Sequence, residues 1–348
     1  MKILFDHQIF SSQRFGGISR YHVELIKHLD IQWDIPVFFS NNMYLKELKK
    51  VPEFFPKKQF RGKNRILELI NRSCVLSSFR KGDFDIFHPT FYGSYCLKYA
   101  QKRQMVLTVH DMIHDRFSQL PAAEWEKKEK YLMSHAAAAV IVPSRFTADE
   151  LMSLYGIPSG KIHVVHHGAP HWRQNREKVK ENCFLFVGGR GYYKNFSLVL
   201  NAMIKVPEST LLAVGPSFSK EEKALIANAG LTERITHISA CEEELPSLYA
   251  SSAAFIFSSK MEGFGLPVLE SFASGCPVLL SDIPVFHEVA ADAALYFDPD
   301  SPDSLADAMK QIMNKEVSFD LSGRLAEFSW QKCASETRVV YDHVINAH

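Results

Sequence analysis

The strongest constraint on how this chain can fold is a repeated alternation. Short apolar runs, each too short for a helix, recur between longer stretches whose apolar positions fall three and four residues apart, along most of the 348 residues. A continuous apolar run bounded by turn residues is the mark of a strand buried on both faces, and parallel sheets with helical crossovers produce that pattern. Ile3–Phe5, Asp85–His88, Val106–Val109, Ala139–Val142 and Ile162–His166 read as strands in the first half. Phe184–Val187, Leu211–Val214, Ala254–Phe257 and Val278–Leu280 read as strands in the second. Between them, Ile18, Tyr21, Leu25, Ile26 and Leu29 share one helical face after Gly16-Gly17, and Thr147 with Glu150 reads as a capping box for a helix stopped by Gly156. The expected fold is α/β, with two comparable units.

The polar stretch His171 to Asn182, rich in Arg, Lys, Glu and Asn, is the expected linker. The domains expected are 1–172, 173–329 and a C-terminal helix, 330–348. Lys plus Arg number 40 against 39 Asp plus Glu, so bulk charge offers no attraction to nucleic acid. Between Asn41 and Gly82, however, eleven Lys/Arg face three Glu, interleaved with Phe54, Phe55, Phe60, Ile66 and Leu69. Such a segment fits either an anionic membrane surface or a solvated helical face. The longest apolar run, Ala136 to Pro143, is far short of the ~20 residues of a membrane helix. An early Asp6 argues against a signal peptide, and six scattered cysteines without a C-x-x-C pair argue for reduced core thiols. A cytoplasmic protein, peripheral at the inner face of the cell membrane if the basic segment docks there, is the expectation.

The most informative segment is Glu262-Gly-Phe-Gly-Leu-Pro-Val-Leu-Glu270, followed by Ser-Phe-Ala-Ser-Gly275. Pro267 sits where a helix starts and Gly275 where it ends. Gly263-Phe264-Gly265 lets the backbone approach a ligand, and the first-turn N–H groups favour an anion such as a diphosphate. Glu262 before the helix and Glu270 within it can each accept two hydrogen bonds from paired hydroxyls. Upstream, the strand Phe184–Val187 runs into Gly188-Gly189-Arg190-Gly191 and then Lys194-Asn195, which brings two cations to a strand's carboxyl end. Neither G-x-G-x-x-G nor G-x-x-x-x-G-K-[ST] occurs. In the first half, Gly16-Gly17 opens a helix and His110-Asp111 follows a strand. Asp83-Phe-Asp85 and Asp298-Pro-Asp300 spell D-x-D but read as a strand entry and a proline turn, and the histidines show no metal-ligand spacing. No metal or cofactor is expected.

In this order, Gly16-Gly17-Ile-Ser-Arg-Tyr, Val109-His110-Asp111, Ile141-Val-Pro-Ser-Arg-Phe-Thr, Arg190 with Lys194-Asn195, and the E-x7-E of Glu262 and Glu270 resemble family 4 of the glycosyltransferases. These are the retaining nucleotide-sugar enzymes of GT-B architecture, and the resemblance covers nearly the whole chain. It implies two Rossmann-like domains facing across a cleft, with the helix after Phe328-Ser329-Trp330 crossing back onto the first. It also implies roles. Glu262 would hold donor-sugar hydroxyls and Glu270 the ribose. Arg190 and Lys194 would grip the diphosphate, helped by the N–H of Gly17. His110 would lie beside the transferred sugar, and Gly263, Phe264, Gly265 and Leu266 would line the donor pocket. The double glycine before Arg190, where one is commoner, is the departure from the pattern. The expected reaction is transfer of a hexose, mannose from GDP-mannose first and a UDP-sugar next, to a polysaccharide, lipopolysaccharide or lipid-linked glycan. Two alternatives share the same pieces: a catalytically silent GT-B partner, and a nucleotide-sugar hydrolase or epimerase.

Overall fold

The computed structural model describes residues 1–58, 60–100, 104–172 and 179–347. Residues 173–178 of the expected linker, Gln59 of the basic segment and the last residue of the expected C-terminal helix lie outside them. The chain forms two compact units, one of residues 1–168 with 329–348 and the other of residues 169–328. The first therefore ends at Gly168, ahead of the polar stretch, and the C-terminal helix belongs to it.

The first unit is built on a parallel sheet of β1 (Lys2–Phe5), β2 (Gln32–Asp34), β3 (Ile86–His88), β4 (Gln104–Thr108), β5 (Ala139–Val142) and β6 (Ile162–Val164), in the order β2-β1-β3-β4-β5-β6. The second is built on β7 (Lys180–Val187), β8 (Thr210–Val214), β9 (Ile235–Ile238), β10 (Ser252–Phe257), β11 (Val278–Ser281) and β12 (Leu295–Phe297), in the order β12-β11-β10-β7-β8-β9. Every pairing is parallel. Strand order reverses between β1 and β3 and again between β7 and β10. At such switch points the loops leaving adjacent strands diverge to opposite faces and leave a crevice at the carboxyl ends.

Eight of the nine apolar runs are interior strands of the two sheets, and the ninth, Ile162–His166, is the edge strand β6. In the second unit Phe184, Phe186, Leu211, Ala213, Ala254, Ile256 and Leu279 pack with Val199, Met203, Leu305 and Met309 from two helices. Burying such side chains contributes roughly 1.5–3 kcal/mol each before chain entropy is counted. In the first unit the helix Gly17–His28 buries Tyr21, Leu25 and Ile26, the face its spacing predicts. The helix Arg145–Tyr155 differs at its start. Ser144, not Thr147, is its N-cap, accepting from the Thr147 N–H at 3.0 Å, while Glu150 pairs with Arg116. Gly156, at φ +66°, ends it. The final helix, Trp330–Asn346, buries Trp330, Cys333, Thr337, Val340, Tyr341 and Val344 within the first unit. Trp330 packs so closely on Gly168 that a Cβ there would lie 2.3 Å from its main-chain nitrogen, so glycine is required. Among the described residues no helix is long and apolar enough to cross a membrane. All six cysteines are free, four of them buried.

Candidate functional site

The second unit's crevice lies where β7 and β10 run side by side, with Phe184 opposite Ala254 and Leu185 opposite Phe255. The loops leaving these strands are tied together. Ser258 Oγ donates to the Lys194 carbonyl at 2.8 Å, and the Lys260 N–H donates to the Tyr193 carbonyl at 2.7 Å. Asn195, in the left-handed region at φ +54°, turns the first loop into the helix Phe196–Ile204. Its side chain donates to the Pro299 carbonyl. These bonds hold Lys194 over the second loop, where its Nζ donates to Glu262 Oε1 at 2.6 Å. Both side chains are largely buried, and Lys194 also lies over the rings of Tyr193 and Phe257.

From Glu262 the chain passes through Gly263, Phe264 and Gly265 into the helix Leu266–Ala273. Gly265 sits at φ +104°, and a Cβ there would come within 3.1 Å of the Phe286 ring, so both its backbone angle and its surroundings call for glycine. Phe264 is buried with its ring edge-on to Phe328, which anchors the loop from below. Pro267 fits the first turn, where no N–H is needed, and Gly275 follows the last at φ +71°. Glu270, a turn inside the helix, is buried and accepts from Tyr249 Oη at 3.2 Å.

Arg190 takes a different place. Its guanidinium lies over the Phe218 ring at 4.6 Å, bonds Glu222 at 2.8 Å through Nε, and donates to the Pro216 carbonyl. Its side chain is 2% exposed. The structure thus joins Lys194 to Glu262, the start of the segment that runs through the glycine loop to Glu270, and holds Arg190 in a pair of its own with Glu222. Tyr249 and Glu222 carry no sequence signal, because each meets its partner only through the fold.

Gly17 and His110 lie in the first unit. Gly17 opens its helix after Gly16, whose backbone is extended. His110 follows β4, where its main-chain N–H donates to Tyr92 Oη at 3.0 Å and Asp111 accepts from the Ile113 N–H. The ring is buried among other rings, which sequence reading does not reveal. His22, His88, His110 and His167 gather beside Tyr21 and the C-terminal helix, with His22–His88 centroids 5.5 Å apart and His110–His167 5.9 Å apart. His88 bonds Tyr341 Oη at 2.6 Å through Nδ1 and Thr108 Oγ1 at 2.9 Å through Nε2. Burial pushes His88 down to about 3, with His110 adding to the effect. Burial likewise pushes His110 down to about 4, opposed by Asp111 and assisted by Lys130. His22 and His167 are held well below the ordinary imidazole value, again mainly by burial. The cluster is neutral at pH 7.

The D-x-D segments are engaged in structure. Asp83 pairs with Lys2, Asp85 accepts the Lys2 N–H, and Asp300 pairs with Lys260. Asp111, His114 and Glu126 are close enough together to hold a cation. The buried ammonium of Lys130 already stands there, 3.4 Å from Glu126 and 2.9 Å from Asp115.

Comparison with known proteins agrees with this geometry. Residues 170–329 match the family model "Glycosyl transferases group 1", and residues 15–173 match "Glycosyltransferase Family 4". The chain is 33% identical over 177 residues to the O-antigen chain mannosyltransferase RfbU of Salmonella typhimurium, a match spanning 50% of each chain, so about half the length of that relative. It is 24% identical to O-antigen chain mannosyltransferase B of Escherichia coli over 98% of this chain and 99% of that one. Among solved structures, sucrose-phosphate synthase from Thermosynechococcus elongatus superposes with a TM-score of 0.78 over 100% of both chains at 17% identity, a likeness of fold. Two parallel sheets of this order, a Lys–Glu pair at the switch point, the E-x7-E helix and both family models lead to one conclusion: the chain belongs to the group 1, family 4 glycosyltransferases of GT-B architecture.

Proposed function

We propose that this glycosyltransferase is a retaining, metal-independent hexosyltransferase that moves mannose from GDP-mannose to a glycan acceptor of cell-surface polysaccharide or lipopolysaccharide assembly. The observation that carries the reading is the 2.6 Å pair of Lys194 and Glu262 beside the glycine loop and Glu270. Breaking the bond from the sugar's anomeric carbon to the diphosphate puts positive charge on the sugar and adds negative charge to the leaving group. A fixed ammonium suits the second, and one contact of this kind supplies about 3 kcal/mol. Lys194 then serves the diphosphate, Glu262 the sugar hydroxyls and Glu270 the ribose. Arg190 reaches the diphosphate only by leaving Glu222. The acceptor hydroxyl attacks on the face the diphosphate leaves, and its proton passes to the departing phosphate oxygen, so configuration is retained. The mannosyltransferase names of both relatives support the sugar; a UDP-sugar is the next choice.

The basic segment 41–82 serves, in this reading, to rest the enzyme on an anionic membrane. The helix Lys63–Lys81 buries only Lys63, Leu67, Asn71 and Val75, which leaves Arg65, Arg80, Ile66 and Leu69 exposed, with Phe55 and Phe60 exposed nearby. The first test is thermal stabilisation by GDP, UDP, ADP and dTDP, each with and without EDTA. A specific ligand at a hundredfold excess over its Kd adds about 2.7 kcal/mol. Stabilisation by GDP alone, unaffected by EDTA and followed by mannose transfer from GDP-mannose, is expected. UDP as the sole ligand would replace mannose with a UDP-linked sugar, and no stabilisation by any nucleotide would overturn the enzyme reading.

A further inference from the structure

Glu270 is an acid that the packing of its helix does not call for. The helix Leu266–Ala273 turns Val268, Leu269, Phe272 and Ala273 into the core, and Glu270 lies among them, 7% exposed. Taking a carboxylate out of water costs free energy that its hydrogen bonds must offset. The main chain at this position is held: the Glu270 carbonyl accepts from the Ser274 N–H at 3.1 Å and from Ser274 Oγ at 3.0 Å. The carboxylate is a separate matter, because the last torsion of a glutamate is broad and roughly two-fold.

Tyr249 takes up that freedom. It is fully buried in the helix Leu245–Ala250, which packs against Leu266–Ala273. Its Oη donates to Glu270 Oε2 at 3.2 Å. The ring has little room to move: it stands edge-on to Phe255 of β10 with centroids 5.3 Å apart, and Trp172 lies against it at 6.1 Å. Tyrosine has few torsions to lose, and packing locks them, so the hydroxyl is a donor of fixed position. The contrast with the neighbouring carboxylate is chemical. Glu262 meets an ammonium, which offsets its charge, whereas Glu270 meets a neutral phenol. A carboxylate offers about four acceptor sites, so a single phenol orients the group without filling it.

We propose that Tyr249 is a positioning residue for ribose recognition: by holding Glu270 Oε2 it sets the carboxylate to accept the 2′- and 3′-hydroxyls of the nucleoside diphosphate, and so fixes the preference of this site for ribonucleotides over their deoxy forms. The proposal rests on the glycosyltransferase reading, in which Glu270 serves the ribose. An oriented, buried carboxylate rejects an analogue without the hydroxyls, because that analogue leaves it desolvated and unpaired. A carboxylate free to turn loses part of that discrimination.

The test compares GDP with 2′,3′-dideoxy-GDP by calorimetry in the full chain, as wild type and as Tyr249→Phe. If UDP is the nucleotide that wild type binds, UDP and 2′,3′-dideoxy-UDP take their place. Phenylalanine keeps the ring and its contacts with Phe255 and Trp172 and removes the hydroxyl alone. Tyr249→Phe should bind GDP about tenfold more weakly and the dideoxy form within about twofold of wild type, the signature of one lost hydrogen bond to a charged group. Equal weakening of both nucleotides marks a merely structural tyrosine and overturns the proposal, as does GDP affinity equal to that of wild type. Trp172 is half-buried, and Trp172→Leu, which removes the ring's support, decides the case if Tyr249→Phe does not fold. It should lower the discrimination by about threefold, and unchanged discrimination there overturns the proposal. Wild type that binds both nucleotides alike strikes at the ribose role of Glu270 and takes the proposal with it. Wild type that discriminates, with Tyr249→Phe discriminating equally, overturns the proposal alone.

Discussion

Lowering the pH from 7 to 5 should destabilise the first unit through its buried imidazoles. His88 and His110 have folded values of about 3 and about 4, caused mainly by burial, whereas an imidazole in the unfolded chain titrates near 6.5. Above the unfolded value both states are neutral and the groups contribute nothing. As the pH falls below it, the unfolded chain takes up protons that the folded chain refuses, so stability falls until the folded values are reached. At pH 5 the loss is about 2 kcal/mol for each of the two, about 4 kcal/mol together, a large share of the ~5–15 kcal/mol that holds a typical domain. His22 and His167 act in the same direction. The assay is urea unfolding at both pH values followed by tryptophan emission, to which Trp33, Trp125 and the buried Trp330 of the first unit contribute. His88→Gln should remove about half of the two-residue difference. Should that variant fail to fold, imidazole NMR resonances of wild type should stay at their neutral positions through pH 5. Equal urea midpoints at the two pH values, or protonation of these rings near 6.5, would refute the reasoning.

Further predictions concern the second unit. Lys194→Ala should weaken nucleoside diphosphate binding and cut transfer by about a hundredfold, the loss of one transition-state cation, measured by calorimetry and steady-state rates; unchanged rates would refute its role. Glu262→Gln should leave nucleotide affinity within a few-fold while lowering kcat for sugar transfer, and a selective loss of nucleotide binding would exchange its role with that of Glu270. Gly265→Ala should cost roughly 1–3 kcal/mol in thermal unfolding, from a strained backbone at φ +104° and a Cβ pressed on Phe286.

The sequence by itself determined the class of fold, because strands buried on both faces must be written as continuous apolar runs. All nine apolar runs are strands, with ends moved by no more than four residues, and only β6 among them is a sheet edge. The strands that carry no such run, β2, β9 and β12, are sheet edges, and each is only partly buried. An edge strand needs neither continuous apolar character nor length, so little in its letters separates it from a loop. The E-x7-E helix was legible for the same local reason: glycine, proline and the two carboxylates act within one turn-and-helix segment. The pairing of Lys194 with Glu262 was not, since 68 residues separate them and only the adjacency of β7 and β10 joins them. Arg190 shows the opposite case, where position at a strand's carboxyl end suggested a free cation and the fold supplied Glu222 and Phe218. The same holds for Lys63, one of eleven basic residues in its segment, whose burial against neutral carbonyls exists only once the helix and the loop before it are packed. Local periodicity records what a residue must do with water; which charge meets which is decided by strand order, and strand order joins residues that the sequence keeps apart.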